Sequence, residues 1–397
     1  MATSTYLYQY ALNQDCSCVS LSTTSDFRTI TLSPSLAEIS RRRVNIASDQ
    51  TIDNNDPSSL LSESPSPVNV ASMLFQTNYL ALVLRDNPYK VLLWDDSLSQ
   101  SPHALWSRFE VLNVVLRRDL VCLVSEYKIY VYEFGGNFQV LLHLETCANP
   151  KGLCCVSTGD PHKWTLVCPG QTKGHVRIQH GLDDSISHTV PAHSASVAAL
   201  AINVEGTLIA SASEQGTVIK VVSAQDGQLL YEFRRGTTAV GISCISFRAD
   251  SKFLVLGSAS LTVHVFKLDE GRSGTGGGME DPVTPGLIPK YFQSSRAFAQ
   301  FKIPDTGSDL RVAGSPIVGP LCCFAKHRPG NTVLVVHVNG LLYEAHFDEN
   351  RSEYGQECVF TTASAFFQTR PDFVIGQSVA QSLGSPVKDE GGDWHVL

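Results

Sequence analysis

The chain has 397 residues, with 43% hydrophobic and 17% charged side chains and a formal net charge of −8. Its length suits two or three ordinary domains or one large all-β domain with a sizeable core. Its acidity argues against a general nucleic-acid binder.

The cysteines number 11 and include two adjacent pairs, Cys154-Cys155 and Cys322-Cys323. None has C-x-x-C spacing and most sit in apolar runs, so buried, reduced thiols of a cytosolic protein are expected. Met1-Ala-Thr-Ser-Thr-Tyr6 lacks a basic start followed by an apolar stretch, so no signal peptide is expected. No window approaches about 20 continuous apolar residues, so any membrane contact is expected to be peripheral.

In chain order, short strand-like runs recur between turn residues, without an amphipathic helix. Leu7–Thr31 holds the turn Asn13-Gln14-Asp15 and then a strand. Residues 33–69 are polar and Ser/Pro-rich, with Arg41-Arg42-Arg43 and Ser62-Glu-Ser-Pro-Ser-Pro67. They are expected to form a disordered insertion whose arginines are solvated or touch an anionic surface. Val70–Asp95 gives two strands and ends on Trp94-Asp95, a WD-repeat cue. Leu105–Phe134 gives three or four more.

The clearest internal repeat follows. Leu200–Val221 and Ile245–Phe266 align so that Ser213 matches Ser258 and Thr217 matches Thr262, both 45 residues apart. Asn13-Gln14-Asp15 echoes Asn203-Val204-Glu205 in the same register. The period is that of a four-stranded propeller blade. These runs predict an all-β, seven-bladed β-propeller with four-stranded blades over residues 1–369. Residues 269–296 interrupt the repeat with a glycine-rich run, Gly271–Gly278, and an apolar, aromatic one containing Leu287, Ile288, Tyr291 and Phe292. Leu321–Phe324 and Val333–Phe347 form the last blade, with Glu357–Phe367 as its closing strand. Residues 370–397 are expected to be a flexible tail.

The run Gly227–Phe233 reads as a strand that ends on Phe233-Arg234-Arg235-Gly236. Successive side chains of a strand point to opposite faces. If a blade packs on each side, each arginine enters its own inter-blade groove. Guanidinium forks bind phosphate oxygens two bonds at a time, so one dipeptide could build two phosphate pockets. The alternative is a solvated arginine pair at a strand end. Residues 217–302 carry ten Lys/Arg against seven Asp/Glu, a local +3 that leaves −11 elsewhere.

With Phe233-Arg-Arg-Gly236, several stretches resemble the PROPPIN family, β-propellers that bind polyphosphoinositides. They are Asn203…Gly206-Thr207, Ser213-Glu-Gln-Gly-Thr217, Thr262-Val-His-Val-Phe266, Asn149-Pro-Lys-Gly-Leu153, Lys173-Gly-His-Val176 and Tyr291-Phe…Phe298-Ala-Gln-Phe301. The Asn149 and Lys173 stretches are most similar to the family's shorter-tailed branch. The resemblance implies one phosphoinositide site formed by His193, Ser211 or Ser213, Thr217, Lys220 and Arg234. It implies a second formed by Arg235, Ser258, Thr262 and His264. In each, hydroxyls donate to phosphate, arginines clamp it, and histidine gains charge beside a dianion. The bland readings are turn hydroxyls bonding backbone and a turn-capping histidine. The sequence departs from the family at Leu261, where Gly is usual, at Ala259 for Asp, at Lys220 for Arg and at Val222-Ser223-Ala224 for Phe-Asp-Thr.

The resemblance further implies membrane insertion by Leu287, Ile288, Tyr291 and Phe292 in a loop at 269–296; Tyr291 and Phe292 could instead start a strand. It implies contact of Asn13 and Asp15 with a lipid-transfer protein of the autophagy machinery. The implied function is a monomeric, non-enzymatic effector of phosphatidylinositol 3-phosphate and 3,5-bisphosphate that recruits autophagy machinery. It would work peripherally on autophagosome-precursor, endosomal or vacuolar membranes, without cofactor or metal. The alternative is a propeller scaffold for protein–protein contacts only. No G-x-S-x-G, P-loop or paired metal-ligand motif points to an enzyme.

Overall fold

The computed structural model describes residues 7–23, 26–44, 66–268, 296–304, 319–338 and 340–366. Seven sheets stand in a propeller ring. Blade 1 is β1 (Leu7–Leu12), β2 (Cys18–Thr23), β3 (Phe27–Thr31) and β4 (Ala37–Arg42). Blade 2 is β5 (Val68–Met73), β6 (Tyr79–Leu84), β7 (Asn87–Asp95) and β8 (Gln100–Trp106). Blade 3 is β9 (Asn113–Leu116), β10 (Leu120–Val124), β11 (Lys128–Glu133) and β12 (Val140–Glu145). Blade 4 is β13 (Cys155–Val156), β14 (Thr165–Pro169), β15 (His175–His180) and β16 (Asp183–Pro191). Blade 5 is β17 (Val197–Ile202), β18 (Leu208–Ser213), β19 (Val218–Ser223) and β20 (Leu229–Arg234). Blade 6 begins with β21 (Ile242–Phe247), β22 (Phe253–Ser258), β23 (Thr262–Lys267) and β24 (Ala299–Lys302). Blade 7 is β25 (Leu321–Phe324), β26 (Thr332–Val336), β27 (Leu341–His346) and, after the short β28 (Gln356–Glu357), β29 (Val359–Ala365). Strand β28 adds to blade 6 as a fifth strand, parallel to β24.

A blade buries both faces, so its second strand is buried along nearly its whole length. β10 and β22 are buried at every position. Alternation then sends neighbouring residues to different inter-blade cores. Leu254 and Leu256 pack with Ile219, Val221 and Phe233 of blade 5, while Phe253 and Val255 pack with Cys322 and Val333 of blade 7. The same rule orients the functional side chains.

Among the described residues, every strand of blade 1 comes from the N-terminal side and every strand of blade 7 from the C-terminal side. No sheet is shared across the seam between them. The seam closes by packing of Tyr10, Val19 and Leu21 on Leu321, Cys323 and Leu334. Tyr10 Oη donates to the Gly319 carbonyl, and Lys326 Nζ meets Asp15 Oδ2 at 2.7 Å. The thiols are mostly buried in such inter-blade cores, and none is in a disulfide. A cavity of about 440 Å3 follows the innermost strands around the ring axis, with Lys151 on its wall.

The expected insertion at 33–69 is shorter than its composition suggested. Residues 37–42 form β4, the outer strand of blade 1, paired with β3. An outermost strand has one solvent edge, so it tolerates polar residues. Nor are its arginines simply solvated: Arg41 Nε meets Asp26 at 2.6 Å and Arg42 Nε meets Asp96 at 2.9 Å. Residues 45–65, 269–295 and 367–397 lie outside the described residues, and with them Leu287, Ile288, Tyr291, Phe292 and the tail.

Asn13 and Asn203 follow the innermost strands of blades 1 and 5, as their echo predicts. Each ties its own turn through the side-chain oxygen: Asn13 Oδ1 accepts from Cys18 N at 3.0 Å, and Asn203 Oδ1 from Thr207 N at 2.8 Å. Asn13 is 4% exposed and also donates to Ser17 and to the Phe75 carbonyl. The Asn13 side chain is thus engaged within its own turn and with blade 2. Asp15 is held by Lys326 and by Ser17. Gln14 between them joins three blades: Nε2 donates to the Met73 and Leu116 carbonyls at 2.8 and 2.9 Å, and Oε1 accepts from Phe75 N.

Candidate anion-binding site

Blade 5 carries the site because its outermost strand ends on the arginine pair. Phe233 faces blade 6, 2% exposed, with its ring 4.8 Å from that of Phe266. Alternation turns Glu232 and Arg234 the other way, toward blade 4. Arg235 returns to the blade 6 side. Its backbone N–H donates to the Thr217 carbonyl at 2.9 Å. Its guanidinium is fixed by Nε to the Gly216 carbonyl at 3.0 Å and by Nη2 to the Thr238 carbonyl.

Groove one lies between blades 4 and 5. Ser211, Lys220 and Glu232 stand opposite one another across β18, β19 and β20. Ile219 and Val221 pack toward blade 6, so Lys220 projects into groove one. His193 reaches in from the blade 4 side, and its Nε2 shares a 3.0 Å hydrogen bond with Ser211 Oγ. Burial pushes the His193 pKa down to about 4; the Lys220 charge pushes the same way, against the Ser211 backbone and the Glu232 charge. A pKa this low leaves the imidazole neutral near pH 7. Ser213 is 8% exposed at the end of β18, on the same face as Ser211. The backbone around His193 is tight. Its N–H donates to the Gly174 carbonyl at 2.9 Å, and a Cβ on Gly174 would stand 1.9 Å from the His193 carbonyl.

Groove two lies between blades 5 and 6. Arg235 enters from blade 5, and Ser258, Thr262 and His264 lie on the face of blade 6 that carries Leu256 and Phe266 toward blade 5. His264 is 8% exposed, and its buried Nδ1 has no hydrogen-bond partner. Burial, then the Arg235 charge, push its pKa down to about 4. Ser258 is fully buried, donates to the Thr262 carbonyl at 3.0 Å and shares a hydrogen bond with Ser260 Oγ. Its hydroxyl thus already holds the turn.

The four residues expected in groove two do meet there, and those of groove one meet with one exception. Thr217 and Thr262 match in sequence but not in space. Lys220 stands opposite Ser211, and His264 opposite Leu256, so these two occupy equivalent positions 44 residues apart, while Ser213 and Ser258 are 45 apart. The turn of blade 5 holds one more residue. Thr262 is therefore the counterpart of Val218, and Thr217 sits on the crest beside Arg235, where the grooves adjoin. Sequence reasoning missed two residues. Glu232 was read only as part of a strand. Lys302, paired with Thr262 at the outer edge of blade 6, was not singled out because the insertion at 269–296 breaks the repeat before it.

Among the described residues, no helix is long and apolar enough to cross a membrane, and no cluster of His, Cys, Asp or Glu could hold a metal ion.

Autophagy-related protein 18e of Arabidopsis thaliana is 34% identical over 290 residues, 71% of this chain and 73% of that protein. WD repeat domain phosphoinositide-interacting protein 1 of Homo sapiens is 28% identical over 358 residues, 88% of this chain and 75% of that protein. The solved structure of Kluyveromyces lactis Hsv2 superposes with a TM-score of 0.68 over 91% of this chain and all of that one, at 20% identity, which speaks to the fold. A second solved structure, a complex of KlAtg21 with the coiled coil of AgAtg16, superposes with a TM-score of 0.67 over 91% of this chain. The PROPPIN family profile matches residues 6–365, from the start of blade 1 through the last strand of blade 7. With both arginines of Phe233-Arg234-Arg235-Gly236 delivered to separate grooves of that ring, the chain belongs to the PROPPIN family.

Proposed function

We propose that this protein is a non-enzymatic phosphoinositide effector. It binds phosphatidylinositol 3-phosphate and phosphatidylinositol 3,5-bisphosphate through the two grooves flanking blade 5, and recruits autophagy machinery to membranes during autophagosome formation. The observation that carries this reading is the placing of Arg234 and Arg235 in opposite grooves, each with a hydroxyl-bearing strand and a histidine whose pKa is pushed down to about 4. Phosphate suits the chemistry of these grooves. Its oxygens accept from guanidinium and hydroxyl donors, and its charge favours protonation of imidazoles now held neutral. The human relative's name, phosphoinositide-interacting, supports the same ligand class.

The protein acts as a peripheral membrane protein on this reading, with the segment containing Leu287, Ile288, Tyr291 and Phe292 supplying apolar contact. Inserted apolar side chains add a term that salt does not weaken, unlike headgroup contacts. Replacing Leu287 and Ile288 by Asp should weaken liposome binding and spare headgroup binding.

The test of the main reading is liposome co-sedimentation with and without 3-phosphorylated lipid. The Arg234→Ala, Arg235→Ala double variant should lose lipid-dependent sedimentation while keeping its circular dichroism. Undiminished sedimentation of the folded variant would overturn the reading.

Scaffolding of proteins has an observation of its own. Trp106, Phe109 and Tyr127 are 62%, 44% and 55% exposed along blades 2 and 3. Lys90 lies over the Trp106 ring and Lys128 over the Phe109 ring, at 5.1 and 6.0 Å. Exposed aromatic side chains suit a protein partner. Losing that partner in a Trp106→Ala, Tyr127→Ala pull-down, with lipid binding intact, would assign the two roles to separate surfaces.

A further inference from the structure

Blade 6 repeats the end of blade 5 beyond the break in the repeat. In blade 5, Val218 pairs with Arg234 and Ile219 with Phe233. In blade 6, Thr262 pairs with Lys302 and Val263 with Phe301. Since Val218 and Thr262 are counterparts, Gln300-Phe301-Lys302 stands where Glu232-Phe233-Arg234 stands in blade 5. Packing agrees. Phe301 is 7% exposed and enters the core between blades 6 and 7, as Phe233 enters the core between blades 5 and 6. Along β24, buried and exposed positions alternate, with Gln300 and Lys302 exposed. Lys302 is therefore turned to the face of blade 6 that carries Thr262 and His264. At the outer edge of blade 6, a cleft of about 370 Å3 is lined by Thr262, Gln300, Phe301, Lys302, Glu357 and Cys358.

We propose that Lys302 is a second phosphate-contacting cation of groove two, and that it makes this groove prefer a bisphosphorylated inositol headgroup. The inference rests on groove two being a phosphoinositide site. Arg235 stands on the blade 5 wall and Lys302 on the blade 6 wall. A headgroup with one ring phosphate engages one of these cations well. A second phosphate on the same ring reaches the other without giving up the first. Deeper in the blade 6 wall, the partnerless Nδ1 of His264 offers the ligand one more polar contact. Glu357 opposes this arrangement. It lies opposite Gln300 in the β24–β28 pair and is the carboxylate of the cleft. Its charge weakens the pull of Lys302 on any anion, so removing it should strengthen the same contact.

The test isolates groove two with Arg234→Ala and titrates the soluble headgroups of the 3-phosphate and the 3,5-bisphosphate by calorimetry. Adding Lys302→Ala should lower affinity for the bisphosphate headgroup about tenfold, the worth of one charge-assisted contact, and leave the monophosphate within about threefold. Lys302→Arg should keep the preference, and Glu357→Gln should raise it. In the Arg235→Ala background, where groove one alone remains, Lys302→Ala should change neither titration. An unchanged bisphosphate affinity on Lys302→Ala overturns the inference, as does an equal loss for both headgroups. If the Arg234→Ala parent binds neither headgroup while the wild type does, groove two is no lipid site. The underlying reading then fails for that groove, whatever Lys302 does.

Discussion

Gly216 and Leu261 hold the same left-handed backbone, φ +59° and +58°, in corresponding turns of blades 5 and 6. In each turn this residue donates its N–H to the serine that ends the second strand, Ser213 at 2.9 Å and Ser258 at 3.1 Å. Leucine adopts that conformation at a cost of roughly 1 kcal/mol, which glycine avoids. The exchange is not symmetrical, because a Cβ on Gly216 would stand 2.0 Å from the Val240 carbonyl. Gly216→Ala should destabilise the protein by roughly 2–4 kcal/mol and displace Arg235, whose Nε bonds the Gly216 carbonyl. Leu261→Gly should stay within about 1 kcal/mol of wild type, relief of the turn offsetting lost packing. Urea denaturation of both variants checks the contrast, and equal losses would contradict it.

Gly174 should govern groove one alone. A side chain there collides with the His193 carbonyl, so Gly174→Ala must move the histidine that bonds Ser211. Headgroup affinity should fall at least about fivefold in an Arg235→Ala background and hold steady in an Arg234→Ala background. A fall in both backgrounds would mean that the whole ring has been disturbed.

Acid should destabilise the unliganded protein through the half-buried His193 and the buried His264. An unfolded imidazole takes up its proton near 6.5, whereas His193 and His264 do so only near 4 when folded. Between those values the unfolded chain binds more protons. The stability that both groups contribute above 6.5 is therefore lost as pH falls toward 4. Melting temperature should drop through that window, and drop less in a His264→Gln protein. A headgroup phosphate favours the charged imidazole, so binding in the same window should take up protons. Calorimetric heats should then vary with the ionisation heat of the buffer. Heats that are independent of buffer would remove His193 and His264 from the anion contact.

Glu232 should restrain groove one. It stands opposite Lys220 and acts electrostatically on His193, whereas blade 6 has the neutral Gln300 at the corresponding position. Glu232→Gln should raise headgroup affinity roughly threefold to tenfold in the Arg235→Ala background. A loss of affinity would instead show that the carboxylate positions Lys220 or Arg234.

The sequence was most informative where burial on both faces forces long apolar runs. Leu200–Val221 and Ile245–Phe266 announced blades 5 and 6, and the match of Ser213 with Ser258 was correct because both end a buried second strand. It misled by one residue just beyond, since Thr217 and Thr262 match as letters while one turn is longer than the other. Residues 37–42 escaped notice because an outer strand needs few apolar side chains. Lys302 escaped because its resemblance to Arg234 runs through strand pairing, with an interruption of the period in between. Gln14 carries no apolar signal at all; only its three bonds to Met73, Phe75 and Leu116 give it away.

The unshared seam between blades 1 and 7 has a mechanical consequence. Tension applied at the two chain ends can separate those blades without first tearing a strand from a sheet, after which each end peels inward. From the C-terminal side, blade 7 leaves before blade 6, and blade 6 before blade 5. The wall bearing Thr262 and His264 is thus stripped while the wall bearing His193 still stands. Under load the two anion grooves should fail in sequence, groove two first, and the arginines of one dipeptide should lose their surroundings at different forces.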